Sequence, residues 1–204
     1  MKDEMGILKE VASISAGNGS IALSEILGKR IHLELPDLDI LPGDKLLSRI
    51  SLDQMSITIS THILTGIKGN VLFVLDEKSA FELVDTCYRK DGEATKEGAL
   101  TAMGMSIIKE VGNVVISSYV GALGIMLKTL IVPSIPTLVN GPLQETLGFA
   151  ISPYNKEDFV LFLEAVFNVA EHNIKGSFYL LLNPEAMRYI QDACHKTLES
   201  INES

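Results

Sequence analysis

Clusters of lysine and arginine are absent from this sequence. Its 17 basic residues are outnumbered by 26 acidic ones, for a formal charge of −9, and without a basic stripe there is no electrostatic footprint for a phosphate backbone. Nucleic acid is therefore excluded as a partner. Cysteine is scarce too: Cys87 and Cys194 are too few for a disulfide scaffold, and neither belongs to a CxxC or to a Cys/His metal spacing. His32, His62, His172 and His195 are scattered without ligand spacing, so no metal site is expected. Gly17-Asn18-Gly19 lacks the strand, helix and lysine of a phosphate loop. A long uncharged apolar run is also missing, since the most apolar stretch, Val114 to Val139, is interrupted by Lys128, Pro133 and Pro136 and falls short of the about 20 residues of a membrane span. It reads as a buried helix followed by a buried extended segment. The opening MKDEMGILKEV carries charges where a secretory signal has its apolar core. A cytoplasmic protein that does not enter a membrane is expected.

What the sequence does have is apolar residues, 47% of 204, enough for a substantial core. It also has an internal repeat. Residues 6–36 match residues 106–136 without a gap at Ile7, Lys9, Glu10, Val11, Ala22, Leu23, Leu27, Ile31 and Pro36. Further on, Ile67-Lys68-Gly69, Asp85 and Cys87 return at an offset of 107, so the second copy holds about seven extra residues, expected between Asn140 and Asp158. Units of about 100 residues are too long for a solenoid. Two halves, about 1–92 and 93–204, are expected to face each other across a pseudo-twofold in one domain, 1–204, and the chain is expected to be a monomer. Cys87 and Cys194 then occupy equivalent packing positions.

Local patterns fill in each half. A helix is expected over residues 4–27, with Gly17 and Gly19 loosening its middle, then a strand over Lys29 to Leu35 ending at Pro36. Ser56 to Leu64 and Asn70 to Leu75 alternate as a hairpin, Lys78 to Tyr88 as an amphipathic helix, and Lys90-Asp91-Gly92 as the join. In the second half a long helix over Lys96 to Lys128 precedes a strand at Leu130 to Val132 and a short helix at Leu143 to Phe149. Strands follow at Phe159 to Val169 and Gly176 to Leu182, and Pro184 opens a last helix. The class is α/β or α+β: a mixed sheet covered by helices, two of them long and motif-bearing.

Ser106, Glu110 and Asn113 stand at i, i+4 and i+7 of the second long helix and share one face. Ile107, Ile108, Val111, Val114 and Val115 lie on either side. The stripe is a polar ridge open to a partner. The order Ser106, three residues, Glu110, two residues, Asn113, 22 residues, Pro136 resembles the signature of the CheC, CheX and FliY family of chemotaxis phosphatases. ILKEVASISAGNGSIALSEILGK, from Ile7, is similar to the family's opening helix, and the resemblance is strongest to a stand-alone CheC.

The resemblance implies a substrate, the aspartyl phosphate of a CheY-like receiver, and a role for each residue. Asn113 would hold the attacking water with one donor and one acceptor. Glu110 would pair with the receiver's active-site lysine, Ser106 would touch the partner at the rim, and Pro136 would shape the surface beside the helix. No cofactor of the chain's own is implied; Mg²⁺ is expected on the receiver. The family also admits another role, a binding module that sequesters the phosphorylated receiver or docks a CheD-type deamidase. In the first copy the frame reads Gly6, Glu10, Ser13 and Pro36. A serine hydroxyl, one carbon out, cannot both donate to and accept from a water at the reach of an asparagine, so this site is degenerate.

Overall fold

The apolar spacing around Val11 winds Lys2–Leu27 into helix α1 in the computed structural model of the chain, which describes residues 2–42, 45, 48, 55–87, 95–96, 99–151, 159–169, 174–183, 185–186, 188–193 and 196. Strands β1 (His32–Pro42), β2 (Met55–Thr65) and β3 (Gly69–Asp76) follow, then helix α2 (Glu77–Cys87). A two-stranded ribbon of β4 (Thr95–Lys96) and β5 (Ala99–Leu100) leads into helix α3 (Ala102–Met126). Beyond it come β6 (Val132–Pro133), β7 (Thr137–Pro142), α4 (Leu143–Ile151), β8 (Phe159–Val169) and β9 (Ile174–Leu182). Residues 185–186 and 188–193 are helical.

Seven strands form one sheet in the order β1-β8-β9-β3-β2-β6, with β7 also on β2. Among the described residues every pairing in it is antiparallel. The class is α+β, and the sheet is not the mixed one expected, because strands from the two halves interleave head to tail. In β3 both faces are buried: Val71, Phe73 and Leu75 join the core beneath α1, α2 and α3, while Leu72 and Val74 pack with Leu143, Leu147 and Ala150 of α4. Alternation along one strand thus feeds two cores. Phe178 centres the larger one, with Tyr119, Phe73 and Phe167 each 5.3 Å from its ring.

The strand registers relate the halves. Leu72 pairs with Tyr179, its own counterpart at an offset of 107, and the pairs Gly69/Leu182 and Leu75/Gly176 exchange under that offset. At the rim Pro42 pairs with Phe159 and Pro142 with Met55, which are equivalent pairs at offsets of 100 and 104. The seven extra residues therefore do not all lie between Asn140 and Asp158. Four precede β8, and three sit between β8 and β9.

Helix ends repeat as well. Asp76 Oδ1 accepts from the Ser79 amide at 2.6 Å, and Asn183 Oδ1, at the equivalent place, accepts from the Ala186 amide at 2.7 Å. Each caps its helix at the N-terminus. After α1 and α3 the chain turns through left-handed backbone at Gly28 (φ 60°) and Lys128 (φ 51°). Only the first copy uses glycine there, and the lysine is strained by about 1 kcal/mol. Lys128→Gly is expected to raise the melting temperature by about 2 to 4 °C, as read by circular dichroism.

Several local expectations change. α3 begins at Ala102 rather than Lys96, because residues 95–96 and 99–100 form the ribbon and the Thr101 hydroxyl caps the Gly104 amide at 3.3 Å. β1 starts at His32 and runs through Pro36 to Pro42, with a register shift between Glu34 and Asp37. Gly17 and Gly19 do not break α1; a Cβ on Gly19 would lie 3.5 Å from Val115, so that glycine lets the two long helices approach. Gly121 faces open space, since a Cβ there would meet nothing within 4 Å, and Gly124 packs on the carbonyl of Thr129. Lys90-Asp91-Gly92, Tyr88, Pro184, Cys194, His172, His195 and the boundary at 92/93 lie outside the described residues.

Candidate functional site

α3 lies on the sheet by one face. Ile108, Val111, Val115, Tyr119 and Leu123 are buried in the core below it, while Ser106 and Glu110 are exposed and Asn113 is half-buried. The spacing of 3.6 residues per turn makes that division. Val114, expected among the flanking apolar residues, is itself exposed and widens the ridge beside Asn113. Ser106 Oγ donates to its own helix at the Ala102 carbonyl, 3.0 Å away. Neither Glu110 nor Asn113 forms a side-chain hydrogen bond with any described residue. A carboxylate and a carboxamide are thus held one turn apart on a rigid helix, with their polar atoms open to a partner.

Sequence reasoning missed the residue between them. A Cβ on Gly112 would stand 2.7 Å from Ile59 Cγ1 and 3.0 Å from Ile59 Cβ, so only glycine lets α3 settle onto β2 at this depth. The signal available was a glycine inside a helix and inside the motif, next to Asn113. Alanine gains about 1 kcal/mol of helix propensity, but Ile59 is fully buried and cannot withdraw without disturbing the core, a cost of about 1 to 3 kcal/mol. Gly112→Ala is expected to lower stability, and Ile59→Val in the same chain to restore part of the loss. Denaturant unfolding of both variants checks this.

Pro136 is buried between β6 and β7, two residues before Leu138, whose strand partner is Ile59 under Gly112. The interruption is fastened to β2 through Ser134. Its amide donates to the His62 carbonyl at 2.7 Å, its carbonyl accepts from Thr61 Oγ1 at 2.8 Å, and its Oγ accepts from the His62 amide at 3.0 Å. Pro136 therefore belongs to the floor beside α3, and Ile135 next to it is 84% exposed.

In the first copy Gly6 and Glu10 are exposed and Ser13 is half-buried, as at their counterparts. Pro36 lies at the register shift in β1, matching the break around Pro136. The frame persists there without the carboxamide.

The other polar candidates form no site. His32 is exposed and 3.6 Å from Glu34. The His62 ring bonds to Asn70, whose amide donates to the Ala150 carbonyl at 2.8 Å. Burial pushes the Cys87 thiol pKa up, away from reactivity. Tyr119 is fully buried and its hydroxyl has no partner among the described residues; burial raises its pKa. Tyr119→Phe is expected to stabilise the fold by about 1 kcal/mol, because an unsatisfied buried hydroxyl is removed, and thermal unfolding checks it. Among the described residues no group of three His, Cys, Asp or Glu is placed to hold a metal ion, and no helix is long and apolar enough to cross a membrane.

No family model matches the chain. It is 25% identical over 136 residues to the CheY-P phosphatase CheC of Bacillus subtilis, a match that covers 66% of this chain and 65%, just under two thirds, of that protein. Over 179 residues it is 21% identical to CheC1 of Halobacterium salinarum, covering 88% of this chain and 90% of the relative. Among solved structures, FliY of Thermotoga maritima superposes with a TM-score of 0.78 at 22% identity, over 96% of this chain and 98% of that one. A CheX from Borrelia burgdorferi, solved in complex with CheY, BeF3 and magnesium, superposes with a TM-score of 0.54 at 14% identity, over 85% and 96%. The two structures share this chain's fold over 96% and 85% of its length.

Proposed function

We propose that the chain is a member of the CheC, CheX and FliY family, which its likenesses in sequence and fold support, and that it hydrolyses the aspartyl phosphate of a CheY-like response regulator in the cytoplasm, with α3 as its single working motif. The observation that carries this reading is the pair Glu110 and Asn113, unpaired among the described residues on a ridge whose opposite face is locked into the core. Phosphoryl transfer through a loose transition state asks for an oriented water and for neutralised charge. The receiver brings its own lysine and Mg²⁺; α3 brings the water's orienting group.

The roles follow from the chemistry of each side chain. Asn113 accepts from the water through its carbonyl oxygen and donates through its amide, holding it in line with the phosphorus. Glu110, one turn away, pairs with the receiver's lysine by a charge-assisted hydrogen bond. Ser106 contacts the receiver at the rim, and Pro136 stiffens the floor beside the ridge.

The experiment is decay of a phosphorylated CheY-type receiver at catalytic ratios of this protein. Many receivers dephosphorylated per molecule support the enzyme. An effect that saturates at one receiver per chain would mean a binding module that sequesters the regulator or docks a CheD-type deamidase instead.

A further inference from the structure

The two halves give the molecule an internal control for its own surface. At the C-terminal end of α3 and just beyond, Ile125 is 80% exposed, Leu130 77%, and Val132 37%, with Tyr189 of the last helical segment 44% exposed beside them. Their counterparts in the first half are Glu25, Arg30, His32 and Glu82. Three of these are exposed and Glu82 is half-buried. The same backbone positions thus carry polar residues in one copy and large apolar ones in the other. The fold needs no apolar residue there, so the second copy's patch serves something outside the chain.

Leu130 and Val132 adjoin the β2–β3 turn, and Tyr189 links that turn to the end of α3. The Leu130 carbonyl lies 2.7 Å from where a Cβ on Gly66 would stand, Val132 pairs with Thr65, and Met126 shares a shallow cavity of about 380 Å³ with Lys128, Tyr189 and Asp192. With about 200 Å² for a fully exposed large side chain, the four residues that differ between the copies offer about 480 Å². That is at the upper end for a monomer's largest patch. Two copies face to face would bury about 1,000 Å², the threshold for a specific interface, before the rim is counted.

We propose that this surface joins two copies of the chain about a twofold axis. The rim favours that occupant, because it carries both signs: Lys128, Lys196 and Asp192 at one cavity, Lys68 and Glu185 at the adjoining one. A mixed rim can satisfy itself across a twofold, whereas a rim of one sign would repel its own copy. Asn113 and Ile125 are 12 residues apart on α3, about 18 Å along the axis, so the patch is set apart from the Glu110/Asn113 ridge. A dimer departs from the monomer expected from the repeat, and it does not depend on the phosphatase reading.

Sedimentation velocity of the full chain up to about 200 µM tests it. The unaltered protein is expected to move from monomer to twice the monomer mass as concentration rises. The triple variant Ile125→Glu, Leu130→Arg, Val132→His installs the residues that the first half already carries at these places, and is expected to stay monomeric with an unchanged circular dichroism spectrum. Leu130→Arg alone, a single exposed change, is expected to weaken association by about tenfold or more and serves if the triple variant does not fold. An unaltered protein that is monomeric throughout would overturn the proposal and leave the patch to a different protein. Persistence of the dimer in both variants would overturn it as well.

Discussion

Asn113→Ala is expected to slow receiver dephosphorylation by about 10²-fold or more, with receiver affinity close to that of the unaltered protein. In the proposed mechanism the amide acts on the water. It is half-buried and adds little docking area, so its loss falls on turnover and not on binding. Because no described residue hydrogen-bonds to the Asn113 side chain, truncation orphans nothing in the fold, and the melting temperature should hold within a degree or two. Glu110→Ala separates the second role. It removes one partner of the charge pair proposed to form in the complex, so affinity and rate should fall together. Calorimetric binding to a beryllofluoride-loaded receiver, run beside the decay assay, distinguishes the two signatures. Near-normal turnover in Asn113→Ala would remove the carboxamide from the mechanism.

Rebuilding the first copy is expected to restore activity to that inactive chain. With Asn113→Ala as background, Gly6→Ser and Ser13→Asn place the missing rim residue and carboxamide on α1, where Glu10 is already exposed. A side chain on Gly6 meets nothing within 4 Å, so serine fits without displacing anything, and leaving glycine also favours the helix by about 0.5 to 1 kcal/mol. Ser13 is half-buried as Asn113 is, which gives the new amide the same degree of support. A recovery of about 10²-fold over the background would make the carboxamide the difference between the copies. In the unaltered protein Ser13→Ala should change turnover little. A folded rebuilt variant with no activity would show that α1 differs from α3 in more than those two side chains, and position 12 is the first to examine: alanine stands where the second copy has Gly112.

Much of this was legible because it depends on neighbours along the chain. Helical spacing from Val11, the alternating strands at residues 55–65 and 69–76, and the ridge at Ser106, Glu110 and Asn113 are local periodicities, and burial of one face follows from them. The repeat was legible as well, since two copies of one fold must satisfy the same backbone: matching caps at Asp76 and Asn183, and left-handed turns at Gly28 and Lys128. Ribbons of two residues carry too few side chains for a period, so β4 and β5 were absorbed into the helix expected from Lys96.

By itself, then, the sequence determined the long helices, the residues of the ridge and a sheet covered by helices, with the class open between α/β and α+β. Tertiary structure decided what those residues rest on. That the strands of the two halves interleave, making every pairing among the described residues antiparallel, depends on partners about a hundred residues apart, such as Phe73 and Phe178. No local pattern encodes such a choice. Gly112 gained its meaning only when Ile59 was brought beneath it, and Ser134 only when Thr61 and His62 lay alongside. The apolar end of α3 reads in the sequence as ordinary core. Only burial distinguishes Leu127, which is covered, from Ile125 and Leu130, which are not, because exposure is a property of how elements pack and not of any one of them.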